Sequence, residues 1–498
     1  DSLTVDPAAR QYTLRGPGTQ TQVFLPCRTV WDGIRAWRDT NGLKAAAGVQ
    51  TLAGRFVFDL WGGRYAESMK ALERAFRYGL TDAVVVWHVW QRHGYDYRLP
   101  DIWPPRGEYG TLAELAALAK SCRDHGVLFA PHDNYIDFYP DSEGFSYDQI
   151  AFDAGGAPVK AWLNSWHANA QSYRSRPDAD LAPLQRNVRL IKAGLAPDAY
   201  FIDVWSSIGP YDCWSRDGRF LDRSFTRTVW GEAFAWIRTT LGGNAPQISE
   251  SGHDALIGWL DGAQTNHLRV GPPLPGDMSW CVWDIRCADA ERVPWHDAAH
   301  HDRFILHGAG YPGRYEGGLD AKAHGIYSDD YIATEILDGH PAMVSNAFSP
   351  DVVRKYWLTH DVARALGLAR MDRVEFAGKD LHRQHVKWEG GGEVWVNRGK
   401  TAWMVKDHTL PPFGFYSRIP TKRGVVEAAI ERKDEGIVEW SYGPSGLYVN
   451  GRGAKGAVRG VAAAGGCRVT VVDDVVTVTP LPETTAKISL GWRSLPWK

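Results

Sequence analysis

Residues 200–205 read Tyr-Phe-Ile-Asp-Val-Trp and residues 247–251 read Gln-Ile-Ser-Glu-Ser. The first is a short apolar run ended by the carboxylate of Asp203, and the second places Glu250 in the same position. A helical pattern lies between them, through Val229, Ala233, Trp236 and Ile237 to Gly242. Strand, helix and strand in that order form a parallel βαβ unit. Two such strands with an acid at each C-terminal end bring the acids to one rim of a barrel, where catalytic carboxylates sit.

Working outward, the same alternation recurs. Arg55–Trp61 is an apolar run followed by Tyr65, Met69, Leu72 and Phe76 at one-faced helical spacing, closed by Gly79. Ala83–His88 precedes a capping-box pattern, Thr111 with Glu114, and a helix stopped by Gly126. Val127–His132 is the third run, with a long excursion before the helix at Leu184, Val188 and Ile191. Ala263–His267, Arg303–His307 and Ala342–Asn346 complete eight runs, the number that closes a (β/α)8 TIM-type barrel. Beyond residue 370 the period becomes two, at Glu393–Val396, Thr401–Val405, Arg468–Val472 and Val475–Thr479. The expected architecture is therefore α/β: an N-terminal strand-containing segment over residues 1–53, a catalytic barrel over 54–370, and an appended C-terminal antiparallel β-sandwich over 371–498. Tyr12–Arg15 and Gln22–Leu25 supply the strand-like fragments of the first segment.

Composition narrows the function. A chain of 498 residues with 44% hydrophobic and 23% charged residues buries a large core. Its net charge of −2, without blocks of like charge, argues against nucleic-acid and membrane partners and for an uncharged ligand. The 23 Trp, 20 Tyr and 17 Phe exceed the needs of a core and fall heavily in loops; the plain reading of any single Trp is an aromatic-rich core or domain interface, and the set is expected to offer faces for sugar C–H surfaces. The six Cys show no zinc or disulfide spacing, and no apolar stretch is long enough to span a membrane. The first residue is Asp1, and export to the periplasm or the exterior is the expectation.

The chemistry expected of the rim is glycoside hydrolysis with a carbohydrate as substrate. Asp203, short and stiff at its strand end, suits the nucleophile; Glu250, with its longer reach, suits the acid/base. Asp59, Trp61, His88, His132, Asp133, Trp205, His253, His267 and Arg269 follow apolar runs and are expected to contact sugar hydroxyls. Tyr173 and Arg174 join them from the excursion. The plain reading of each histidine is a satisfied structural residue; their clustering at one rim favours a site. Asp133, Asn134, Asp137 and Asp141 in HDNYIDFYPD offer oxygen ligands to a hard cation such as Ca2+, but without the Gly and terminal Glu of an EF-hand loop. No metal and no organic cofactor is expected to be required. The competing readings are a non-catalytic carbohydrate-binding barrel and a metal-dependent hydrolase using Asp133, His132 and His267.

The order HDNY (132–135), SYRSRPDADLAPL (172–184), YFIDVW (200–205), ISESG (248–252) and HDALIGW (253–259) resembles the retaining endo-α-N-acetylgalactosaminidases and their exo-acting α-N-acetylgalactosaminidase relatives. VWVNRG (394–399) and LPPFGF (410–415) are similar to the β-sandwich that follows the barrel in those enzymes. The resemblance implies a retaining α-glycosidase for α-linked GalNAc or galactose-type residues, with Asp203 at the nucleophile position and Glu250 at the acid/base position. The relatives commonly carry a large β-sandwich before the barrel, a place taken here by residues 1–53.

Overall fold

In the computed structural model, residues 22–265, 293–308, 319–433 and 436–452 are described in full. The short strands at 3–6, 11–14, 269–270, 282–283, 459–461, 467–472, 475–480 and 490–494 are described in backbone only.

Eight parallel strands form the barrel: β1 (Phe56–Trp61), β2 (Ala83–His88), β3 (Leu128–Asp133), β4 (Tyr200–Ile202), β5 (Gln247–Ser249), β6 (Gly262–Gln264), β7 (Ile305–His307) and β8 (Met343–Val344). They pair in the order β7-β6-β5-β4-β3-β2-β1-β8. The seam between β7 and β8 is bridged by Gly308 N–H donating to the Pro341 carbonyl at 3.1 Å. The sixth to eighth expected strands are all present, each over two or three residues that pair.

Alternation along each strand sorts its side chains into two layers. Val57, Val84, Val86, Ala130, Phe201, Ile248, Ile305 and Met343 fill the barrel interior. Phe56, Phe58, Val85, Trp87, Phe129, Tyr200 and Ile202 face the helices. Those helices, Tyr65–Arg77, Leu112–Asp124, Leu181–Leu195 and Arg223–Leu241 among them, offer Leu72, Leu115, Leu118, Val188, Ile191, Phe234 and Ile237 in return. Burial of each such side chain contributes about 1.5–3 kcal/mol. Thr111 and Glu114 make both hydrogen bonds of the capping box. Short β8 is held by a buried ion pair: Glu335 accepts from Met343 N–H at 3.0 Å, and Lys355 Nζ meets Glu335 at 2.9 Å and the Met343 carbonyl at 2.7 Å.

The N-terminal segment departs from expectation in part. Leu3–Asp6 and Gln11–Leu14 do form an antiparallel pair, but Gln22–Leu25 is not a strand. Val30–Thr40 is a helix, started by a capping box in which Thr29 and Asp32 exchange hydrogen bonds. Its Arg38 donates to the Ala298 and Met371 carbonyls, joining barrel to C-terminal domain.

From Met371 the chain is antiparallel β. Met371–Phe376, Arg383–Trp388, Gly392–Asn397, Phe415–Thr421, Gly424–Lys433, Gly436–Gly443, Gly446–Asn450, Val475–Pro480 and Cys467–Val472 pair in that order. The expected C-terminal β domain is present as a curled antiparallel sheet with an apolar layer on each face. One layer packs Val386, Val394, Phe415 and Ala428 against Leu358 and Val362 of helix Pro350–Leu366. The other packs Trp395, Tyr416, Trp440 and Leu447.

Candidate active site

The interior parity of the strands continues past their ends and builds the site. Asp59 and Trp61 of β1, His88 of β2, His132 of β3 and Gln264 of β6 all lie on the interior face at the C-terminal mouth. Ile202 and Ser249 are partners in register on adjacent strands, so Asp203 and Glu250 follow at the same level. Neighbouring strands lie about 4.8 Å apart, which puts the two carboxylate-bearing residues side by side. Asp203 N–H donates to the Asp133 carbonyl at 2.7 Å, carrying the pairing one residue beyond β4.

Each of three rim residues is followed by a backbone in left-handed conformation: Val89 (φ 62°) after His88, Val204 (φ 65°) after Asp203 and Ser251 (φ 49°) after Glu250. Such conformations cost on the order of 1–3 kcal/mol each for non-glycine residues and concentrate where side-chain aim matters. The turn at Val204 also explains Trp205. It is swung into the core and stacks on Trp230 at 5.1 Å, fully buried, instead of meeting a sugar.

Asp203 and Glu250 open into one cavity of about 840 Å³. Its walls include Trp61, Tyr95, Trp162 and Trp166, with ring centroids 5.0 Å (Trp61–Tyr95), 5.1 Å (Tyr95–Trp166) and 5.7 Å (Tyr95–Trp162) apart. Two long insertions supply most of this wall: the loop after β2, and a three-stranded antiparallel sheet after β3 made of Asp137–Phe138, Ala170–Arg174 and Lys160–Asn164. Arg174 faces the cavity, so its strand neighbour Tyr173 faces away and packs with Phe145 and Tyr147.

Beneath the wall is a buried polar layer. Asp59, with no exposed surface, accepts from Trp61 Nε1 at 2.7 Å and from Gln264 Nε2 at 3.2 Å, and His88 Nε2 lies 2.7 Å away. His88 stacks under Trp61 at 4.1 Å, and the His132 ring lies tilted beside it with centroids 4.4 Å apart. Burial lowers the pKa of His88, although the Asp59 carboxylate opposes it, so the neutral ring donates to Asp59. His132 behaves oppositely. Burial disfavours its charge, yet the carboxylates of Asp96 and Asp203 overcome that and push its pKa up to about 9. Its Nε2 is 3.3 Å from Asp203 Oδ2, which also accepts from Tyr95 O–H at 3.3 Å. Burial raises Asp96, against the pull of His132.

Of the residues the sequence nominated, Asp203, Glu250, Trp61 and Arg174 line the cavity. Asp59, His88 and His132 support it from below rather than touching its surface. Asp133 is a correction: by parity it faces the helix layer, where it accepts from Tyr135 and from Tyr200 O–H at 2.7 Å. His253 ties loops together, with Nε2 3.0 Å from the Ile208 carbonyl. His267 lies outside the described residues, and Arg269 is described in backbone only. The expected cation ligands are dispersed. Asn134 donates to Asp137 at 2.8 Å, but Asp133 is in the core and Asp141 is taken by Tyr97. A different trio, Asp96, His132 and Asp203, has ligand atoms within 4.8 Å of one another. Tyr95, Asp96, Trp162, Trp166, Ile208 and Ser345 were not anticipated.

No family model matches the sequence, and no curated protein matches it. Among solved structures, α-N-acetylgalactosaminidase NagBb from Bifidobacterium bifidum is similar. Its ligand-free form is 19% identical with a TM-score of 0.59, over 74% of this chain and 62% of that one. Its GalNAc complex is 18% identical with a TM-score of 0.58, over 74% and 61%. Its Gal-NHAc-DNJ complex is 18% identical with a TM-score of 0.55 over the same shares, so this chain spans about three fifths of the length of NagBb. At this identity the likeness is one of fold: the chain has the barrel and C-terminal β architecture found in that α-glycosidase.

Proposed function

We propose that the protein is a retaining α-glycoside hydrolase that releases α-linked GalNAc or galactose-type residues, with Asp203 as nucleophile and Glu250 as acid/base. One observation carries the reading: two acids one residue beyond paired positions of adjacent strands open into the same aromatic-walled cavity. Retention requires carboxyl groups about 5–5.5 Å apart, a separation that the strand spacing favours. Asp203 attacks the anomeric carbon as the glycosidic C–O bond breaks and Glu250 gives its proton to the departing oxygen. Glu250 then takes a proton from water, which displaces Asp203 and restores both groups. Protonated His132 and the Tyr95 hydroxyl, both at Oδ2, fix the rotation of the Asp203 carboxylate and balance its charge. The sugar assignment is supported by the fold neighbour, whose name and GalNAc complex point to α-GalNAc.

Asp203→Asn is expected to abolish turnover of aryl α-glycosides with the fold intact, and Glu250→Gln to retain turnover only where the leaving group needs no proton. Full activity of Asp203→Asn would refute the assignment.

The trio of Asp96, His132 and Asp203 raises a metal-dependent alternative. The donors around it favour proton sharing. Gln91 Nε2 and Asn134 Nδ2 point N–H groups at Asp96 from 3.0 and 2.8 Å, where a cation would be repelled. Undiminished activity in a chelator is the expected result, and loss restored by a divalent cation would favour the metal.

A further inference from the structure

Asp203 and Glu250 stand on different strands, and the sheet stops just short of both. The last residues in register are Ile202 of β4 and Ser249 of β5. Beyond them each chain turns through a left-handed residue, Val204 (φ 65°) and Ser251 (φ 49°), so contacts outside the sheet set how far apart the two acids sit. Ser206 supplies such a contact at their level. It is 1% exposed and does not line the cavity. Its N–H donates to Ser249 Oγ at 3.2 Å, and its hydroxyl donates to the Glu250 carbonyl at 2.7 Å, with the Ser251 carbonyl also in reach. The turn that joins Ser206 back to Asp203 is stiff: Trp205 N–H donates to the Asp203 carbonyl at 2.8 Å, Ser207 N–H donates to the Val204 carbonyl at 2.8 Å, and the Trp205 ring is packed on Trp230. A second tie lies further out, where His253 Nε2 donates to the Ile208 carbonyl at 3.0 Å.

We infer that Ser206 is a positioning residue, whose hydroxyl clasps the main chain of the acid/base to the loop of the nucleophile and so fixes the gap between the two carboxyl groups; this rests on the hydrolase reading. Asp203 is also pinned from its other side, by its N–H on the Asp133 carbonyl, and keeps its place without the clasp. Glu250 depends on it. Its carboxyl hangs on a long side chain, and misplacing a reacting group by about 1 Å costs about a hundredfold in rate. Loss of the hydroxyl therefore weakens proton delivery first and leaves nucleophilic attack nearly intact.

The test compares leaving groups within one preparation of the full chain, so that the folded fraction cancels from the ratio. The quantity is kcat/KM on the 2,4-dinitrophenyl α-glycosides of GalNAc and galactose, whose leaving group departs without a proton, and on the phenyl α-glycosides, whose oxygen needs one. Ser206→Ala is expected to lose about tenfold or more on the phenyl substrates and less than about threefold on the dinitrophenyl ones. Ser206→Cys, close in size but a weaker donor, is expected to shift the same ratio by about threefold, and it carries the test if the alanine variant does not fold. An equal loss on both leaving groups marks a merely structural serine, and no loss marks an idle one; either overturns the inference. A wild type that cleaves none of these glycosides overturns the hydrolase reading and the inference with it. A wild type that cleaves both classes, with the ratio unchanged in the variants, overturns the role of Ser206 alone.

Discussion

Asp59 is the most informative residue to perturb outside the reacting pair, because it touches no substrate surface yet sets the position of one wall. It is fully buried and bonds three groups: Trp61 Nε1 at 2.7 Å, His88 Nε2 at 2.7 Å and Gln264 Nε2 at 3.2 Å. Replacement by Ala leaves those donors in a dry interior. A hydrogen bond to a charged acceptor contributes about 1.5–3 kcal/mol, and an orphaned buried donor costs about 1–3 kcal/mol. Two short bonds and one longer one therefore predict a loss of about 3–5 kcal/mol for Asp59→Ala, or roughly 6–10 °C in Tm at about 2 °C per kcal/mol. Asp59→Asn keeps the shape but turns an N–H toward one donor, and is expected to cost about half as much. The untethered Trp61 ring should then raise KM more than it lowers kcat, with kcat/KM down about tenfold or more. A double-mutant cycle with Trp61→Phe, which removes one donor, should show coupling of about 1–2 kcal/mol in thermal and chemical denaturation. Strictly additive effects, or a Tm for Asp59→Ala within about 1 °C of wild type, would refute the reasoning.

His132 binds its proton up to about pH 9 in the folded chain, against an ordinary value of 6.5. The stability this contributes is complete below about pH 6.5 and is lost as pH rises through 9; raised Asp96 has the same sign, because the native state again holds the extra proton. Denaturant midpoints should accordingly fall between pH 6.5 and 9, and His132→Gln should flatten that slope. Lys355→Met strands Glu335 without a cation in a fully buried pair and should cost about 3–5 kcal/mol, while the double replacement Lys355→Met with Glu335→Leu should recover most of it; no recovery would contradict the pairing account. Trp166, 59% exposed on the cavity lip, should matter for what lies beyond the cleaved bond. Trp166→Ala is expected to raise KM about three- to tenfold for extended glycans and to leave aryl monoglycosides nearly unchanged.

The barrel could be read from the chain because its first strands are short, mostly apolar runs that alternate with helices of one-faced apolar spacing. The reading of the site was less complete for reasons that particular residues show. Strand parity was available in the sequence: Val57, Asp59 and Trp61 share a face, as do Ala130 and His132, and the same rule places Asp133 on the helix side with Tyr135. What parity could not give is Trp205, because a left-handed valine at position 204 breaks the alternation. Tyr95, Asp96, Trp162 and Trp166 sit on insertions whose strands are as short as Asp137–Phe138 and carry no periodic signal, though the segments themselves were long enough to suggest a wall. The helix Val30–Thr40 had a usable cue in Thr29 and Asp32. The C-terminal β domain was legible in its period of two, which its antiparallel pairing bears out.

The central claim is a covalent sugar on Asp203. Incubation with an activated fluorinated α-galactosyl or α-GalNAc donor that slows release, followed by proteolysis and mass spectrometry, measures it directly. The account predicts one glycosyl adduct on the peptide containing Asp203, absent in Asp203→Asn, together with a first-formed product of α configuration from an α-glycoside. An adduct on another carboxylate, or a first-formed β product with no adduct at all, would contradict it.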